Sequence, residues 1–313
     1  MVRTLYALLT AIVVGSSTCG TTRVPMTRLD SMFGPVLGNE LISGRAEDQA
    51  GRVVLMVGGK AIVTVDLDAH DAKRTTIQIP EPNCWGLARL DDGSLWTLKN
   101  RHALLMIDPT GYPQREIALE APTLGLFADR DRIVYQEMNV EPPAPVLRAA
   151  VPGETTRQPW SGLRMRAFSG LNHATMAALN LVNCGVGRRG ERPCWFADET
   201  AIALVDDTER TRRVELAGLD HVAPEVLVAS DTPMRPVRDA YVDPSGTIWI
   251  LSSGVPPEHA PDLPGGWVLA RYGAHGEVID RRRLPEPVRL ILRAGKGTAL
   301  VLTGAGMVSE VRP

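Results

Sequence analysis

A meander of four short strands recurs along this chain, and the recurrence restricts the possible folds more than any single motif does. Its clearest copy is Asn83–Glu120, with strands expected at Cys84–Leu90, Leu95–Leu98, Leu104–Ile107 and Glu116–Leu119. The breaks between them, DDGS, NRH and DPTGYPQ, are rich in the Gly, Pro, Asp and Asn that tight turns require. A first copy is expected at Glu40–Ser43, Arg52–Val57, Ala61–Leu67 and Thr75–Ile79. A third begins at Thr123 with LGLFAD, RIVYQE, VLRAAV and ETTRQPW. A fourth begins near His173 with ATMAALNLV, CWFAD, AIALVDD and RRVELAG. A fifth begins at Arg238 with DAYVD, IWILS, GWVLARYG and EVIDRRRLP. The sixth has only VRLILRA, TALVLTG and MVSEVR before the chain ends.

Small antiparallel sheets repeated at this period are the units of an all-β, six-bladed β-propeller. Seven blades are also open, because Gly218–Pro236 is long enough to hold further strands. The sixth unit lacks its outer strand. A ring with no exposed sheet edge then requires the other end of the chain, with Arg23–Met32 as the expected closing strand. A large side chain stands in the second strand of four units (Trp96, Tyr135, Trp195 and Trp249), with Leu55 and Val301 in the others. Packing between splayed blades is the reading this supports, ahead of an aromatic ligand cage.

DDGSLWTL with MIDPTG, and DPSGTIWIL with ARYGAHGEVIDRRRLP, resemble repeats of bacterial six-bladed propellers. These are the NHL-like, virginiamycin-B-lyase-like and gluconolactonase-type groups. The resemblance implies the fold and not an activity, because such groups share architecture and differ in chemistry. The gluconolactonase-type pattern would imply calcium or magnesium held by Glu, Asn and Asp. Glu40, Asn83 and Asp239 are suitable in type, but the Glu-Gly-Pro opening of that group is replaced by Glu40, Leu41 and Ile42. The lyase-like pattern would require a His general base near a metal, and His173, His221 and His259 have no pairing motif around them.

At the N-terminus, Arg3 precedes the apolar run Leu5–Val14 and the small residues Gly15–Thr18, the order of an export signal. Cys19 directly after them resembles the lipobox of bacterial lipoproteins, which implies lipidation at Cys19; the alternative is plain cleavage near Ser17. The expected organisation is a signal over 1–19, a tether and closing strand over 20–38, and the propeller over 39–313. The product would be periplasmic or at the cell surface, monomeric, and in contact with a membrane through its lipid anchor alone. Export permits disulfides, and Cys184 and Cys194 flank a short loop that one would close. Cys84 is left as a small buried hydrophobe.

Thirty-four Lys and Arg against 36 Asp and Glu give a net charge of −2, so no nucleic-acid-binding field is expected. No GxSxG, HExxH, Walker or dinucleotide motif occurs, and no catalytic residue or cofactor is expected. Long connections fall mainly on one face, where the innermost strands begin. Their first residues (Glu40, Asn83, Asn172 or His173, Arg238 with Asp239, and Arg289) would ring a central mouth suited to an anionic or polyhydroxy ligand, a protein partner, or water alone.

Overall fold

The structure, a computed structural model, describes residues 22–23, 26–28, 41–47, 51–67, 74–81, 83–138, 144–154, 157–187, 190–219, 235–253 and 266–312. The expected signal, Cys19, Glu40, His221 and His259 lie outside these residues. Six small antiparallel sheets follow one another in chain order, each built from consecutive strands. Blade one comprises Ile42–Glu47, Val53–Val57, Ala61–Val65 and Arg74–Gln78, and blade two Cys84–Arg89, Leu95–Lys99, Ala103–Ile107 and Pro113–Ala118. Blade three is Thr123–Asp129, Arg132–Glu137, Pro145–Ala150 and Arg157–Arg164. Blade four is Val182–Cys184, Glu191–Phe196, Ala201–Asp206 and Thr211–Glu215. Blade five is Arg235–Val242, Ile248–Ser253, Val268–Tyr272 and Val278–Arg283, and blade six Val288–Gly295, Thr298–Thr303 and Val308–Val311.

Side-chain alternation explains the ring. In VVLMV of blade one every residue is buried. Val53, Leu55 and Val57 point at Leu292, Leu302 and Val308 of blade six, whereas Val54 and Met56 point at Cys84, Leu87 and Leu105 of blade two. A strand covered on both faces must be apolar throughout, which is why its sequence shows no polar alternation. Corresponding apolar clusters join blades two and three, three and four, four and five, and five and six. Blades four and five touch directly, and Val186–Gly187 pairs in parallel with Tyr241–Val242, so the ring holds six blades and not seven.

Met26–Arg28 pairs antiparallel with Val308–Val311, in the register Met26↔Val311 to Arg28↔Ser309, and supplies the missing outer strand of blade six. Just before it, Thr22–Arg23 pairs in parallel with Arg282–Arg283 of blade five. The start of the chain therefore spans two blades, one more than the sequence reading assigned to it.

Three expectations need correction. ATMAALNLV is not a strand: His173–Leu179 is a helix, α1, capped by Asn172, whose side chain accepts from the Thr175 amide at 2.9 Å. Its Ala, Met and Leu favour helix, and the cap supplies a start signal that the apolar pattern concealed. Only Val182–Cys184 remains as the innermost strand of blade four. The innermost strand of blade one runs on past Ser43 to Glu47, and that of blade five begins at Arg235, three residues before Arg238. The large residues of the second strands are all buried, at 0–2% exposure, but they are not equivalent. Trp96 and Trp249 occupy matching places, each donating its indole N–H into the preceding turn, to Ser94 Oγ at 3.1 Å and Asp243 Oδ2 at 3.0 Å.

Candidate ligand site in the central channel

The innermost strands line the axis and approach one another unevenly. A Cβ on Gly44 would stand 2.3 Å from the Leu87 amide nitrogen, and one on Gly86, at φ +68°, 2.7 Å from Leu126 Cβ. Glycine at these bulges lets blades one, two and three close tightly. Opposite them, the three-residue innermost strand of blade four leaves a cavity of about 240 Å³.

Its polar wall comes from five blades. Arg45 of blade one reaches across to Asp239 of blade five, with Nη1 donating to Oδ2 at 2.8 Å and Nη2 to Oδ1 at 3.0 Å. Blade six joins them: the Ile291 amide donates to Asp239 Oδ2 at 2.7 Å, and Arg45 donates to the Ile291 carbonyl. The Ala240 amide donates to Oδ1 at 3.0 Å. Both side chains are only 9% exposed. This multiply bonded ion pair ties together three successive blades, five, six and one, with geometry good enough to offset much of its desolvation.

Arg192, in the second strand of blade four, donates to the carbonyls of Gly185 at 3.0 Å and Ala128 at 2.8 Å, and its guanidinium lies 4.7 Å from the Phe127 ring centroid. Enclosure by protein pushes its pKa down to about 10; the charge of Arg45 adds to the depression and that of Asp129 opposes it. Arg238 lies 4.8 Å from the Trp267 ring centroid. The cavity is thus lined by three guanidinium groups, Arg45, Arg192 and Arg238, against the single carboxylate of Asp239. Gln136, from blade three, closes one side by donating to the Asn180 carbonyl at 2.7 Å and accepting from the Val182 amide at 3.0 Å.

Of the residues expected at the mouth, Arg238 and Asp239 line this cavity. Asp239 sits midway along its strand, deeper than expected, because the strand starts at Arg235. Asn83 is exposed in a turn at φ +59°, its carbonyl accepting from the Asn100 amide. Arg289 clamps the Gly304 carbonyl from Nε at 3.0 Å and Nη2 at 2.6 Å. His173 begins helix α1, which Arg166 holds in place by bonding both the Leu179 carbonyl and Asp198. Of the ligand set implied by the gluconolactonase-type resemblance, Glu40 lies outside the described residues, Asn83 lies outside the cavity wall, and the oxygens of Asp239 are engaged by Arg45 and two amides. Among the described residues, no three His, Cys, Asp or Glu side chains converge as a metal set.

Arg45, Arg192 and Gln136 were missed by the sequence reading. Its one available signal was a charged or amide residue inside an otherwise apolar strand, as in SGRAE, ERPCWF and RIVYQE. Cys184 and Cys194 are cross-strand partners joined by a disulfide, as their spacing suggested, and Cys84 is buried. The disulfide belongs with an oxidising compartment. No helix among the described residues is long and apolar enough to cross a membrane.

The architecture defines the chain as a six-bladed β-propeller. Among solved structures it is similar to a member of the DUF4221 family from Bacteroides vulgatus, at TM-score 0.57 and 11% identity, covering 93% of this chain and 96% of that one. It is also similar to Hsv2 of Kluyveromyces lactis, at TM-score 0.52 and 13% identity, covering 85% and 91%. With virginiamycin B lyase of Staphylococcus aureus the TM-score is 0.48 at 13% identity, covering 93% and 88%. At these identities the likenesses concern the fold and carry no chemistry. No protein-family model matches the chain, and no curated protein matches it.

Proposed function

We propose that this propeller is an exported binding protein, tethered to a membrane through Cys19, whose central channel takes a small anionic ligand such as a polyhydroxy carboxylate. The observation that carries the reading is Arg192, an enclosed guanidinium whose described hydrogen bonds end on carbonyl oxygens, in a cavity where positive groups outnumber carboxylates. The carboxylates of Asp129 and Glu47 act on it through space without a described hydrogen bond to it, and an anion in the cavity would add the direct charge-assisted partner it lacks. Polar donors converging on a concave site over a rigid ring are the arrangement expected of a small-ligand pocket. Export is supported by the N-terminal signal pattern and by the disulfide between Cys184 and Cys194.

Calorimetric titration with gluconate and with inorganic phosphate tests this. The expected result is saturable binding that weakens with added salt and falls roughly ten- to a hundredfold in Arg192→Met, the loss of a charged hydrogen-bonding group. Absence of binding with both anions, or binding equal in the variant, contradicts the reading.

A further inference from the structure

Of the three tryptophans in second strands, Trp195 stands apart from the other two. Trp96 and Trp249 are each the second residue of their strands, at the end away from the mouth, and the preceding turn takes up their indole N–H groups. Trp195 is the fifth residue of Glu191–Phe196, a strand that runs toward the mouth. Its ring packs with Val237 and Ala240 of blade five, and the residue forms part of the cavity wall. Although the side chain is 2% exposed, its Nε1 has no hydrogen-bond partner among the described residues.

Two further groups share this condition near the same level. Asn183, the cross-strand partner of Trp195, lines the cavity with its Nδ2 buried and unpartnered. Ser43, the second residue of the innermost strand of blade one, lines it from the opposite side of the ring with its Oγ in the same state. Buried donors without acceptors are costly and rare in native proteins, so several in one cavity wall mark a place for an acceptor. Arg238 brings positive charge to this wall, while the neighbouring Asp239 is matched by Arg45.

Arg192 and Trp195 belong to one strand, three residues apart and on opposite faces. Arg192 meets Phe127 and the Ala128 carbonyl of blade three, deeper in the channel, whereas Trp195 faces blade five. Their separation along the strand is about 10 Å. A compact oxyanion reaches one group or the other, and a short chain with an acceptor at each end reaches both. A cavity of about 240 Å³ takes a small molecule of that kind and nothing much larger.

We propose that Asn183 and Trp195, with Ser43 opposite, form the mouth-side half of the ligand site, and that the ligand is a short linear dicarboxylate of the sugar-acid class. One carboxylate lies against Arg192, and the other accepts from the Asn183 amide and the Trp195 indole. The inference rests on the anion-binding reading above and deepens it, since donors at both ends select for a second carboxylate over a terminal hydroxyl.

Calorimetry of the full chain with glucarate, which has a carboxylate at each end, and gluconate, which has one, tests the inference. Glucarate is expected to bind at least about tenfold more tightly, the effect of added hydrogen bonds to a charged group. Trp195→Phe keeps the ring and removes the N–H; it should weaken glucarate about tenfold and change gluconate less than about twofold. Asn183→Asp keeps the shape and replaces the donor with an acceptor, so it should weaken glucarate more than Trp195→Phe does. Gluconate binding retained in Trp195→Phe also shows that its channel is intact. Glucarate binding no tighter than gluconate, glucarate affinity unchanged in both variants, or equal loss of both ligands overturns the inference. In those cases, gluconate binding that depends on Arg192 leaves the anion site standing. Failure of gluconate, glucarate and phosphate alike to bind the parent chain overturns both readings.

Discussion

Asp239 accepts four hydrogen bonds, two from Arg45 and one each from the Ala240 and Ile291 amides, so one carboxylate joins three neighbouring blades. Removing its charge leaves Arg45 enclosed without its counter-charge. Asp239→Asn is therefore expected to destabilise the fold by about 3–5 kcal/mol in denaturant unfolding, and the apolar pair Arg45→Met with Asp239→Leu to recover most of that loss. An Asp239→Asn variant as stable as the parent would show that the ion pair contributes nothing. Arg192 is the contrasting case. It is half-buried and its described hydrogen bonds go to carbonyls, which is why the proposed ligand is placed beside it and not beside Asp239. The sequence reading selected Asp239 by its place at the start of an innermost strand, as a candidate mouth ligand; its hydrogen bonding depends on Arg45, which lies 194 positions earlier and which no local pattern connects to it.

Among the elements, the turns repeat most faithfully. Asp108 Oδ1 accepts from the Thr110 amide at 2.8 Å, the Thr110 hydroxyl at 2.6 Å and the Tyr112 amide at 3.0 Å. Asp206 does the same with Thr208 and Arg210, and Asp243 with Ser245 and Thr247. A carboxylate that gathers its own backbone amides fixes the turn, which is why DPTG, DDTE and DPSG punctuate the sequence legibly. The Thr110 hydroxyl is the main cause holding the Asp108 carboxyl below the ordinary aspartate range. Its folded-state pKa is the lower one, so its stabilisation is complete above the unfolded value and is lost as pH falls through the folded one. Asp108→Ala should accordingly lower the unfolding midpoint at neutral pH, and the gap from the parent should narrow between about pH 5 and pH 2. A gap that stays constant with pH would assign the effect to something other than the carboxylate. Where such punctuation was absent, the reading failed. Ala174–Val182 offered an apolar run without turn signals, and helix α1 with its Asn172 cap took most of it. Arg45 was likewise left beyond a strand ended at Ser43, and the innermost strand of blade five was started at Arg238, because polarity facing a channel looks in sequence like polarity facing solvent.

At the scale of the whole molecule, the ring and the origin of its last strand were legible, because each follows from counting turn-delimited apolar segments and finding one missing; the choice of six blades over seven needed the direct contact of blades four and five. The channel was not, since it forms only where six blades meet and its polar side chains come from residues far apart in the chain. Ring closure governs the rest of the account. Met26–Arg28 completes blade six, whose Ile291 backbone braces the ion pair, and Thr22–Arg23 adds a parallel pairing to blade five. Hydrogen exchange of the intact chain, compared with a chain lacking residues 22–28, tests this closure most directly. The account predicts that the amides of Val308–Val311 lose their protection on truncation, that loosening spreads to Val288–Gly295, and that blades two and three keep theirs. Unchanged protection across Val308–Val311 would contradict it, because the ring would then be closed without the start of the chain.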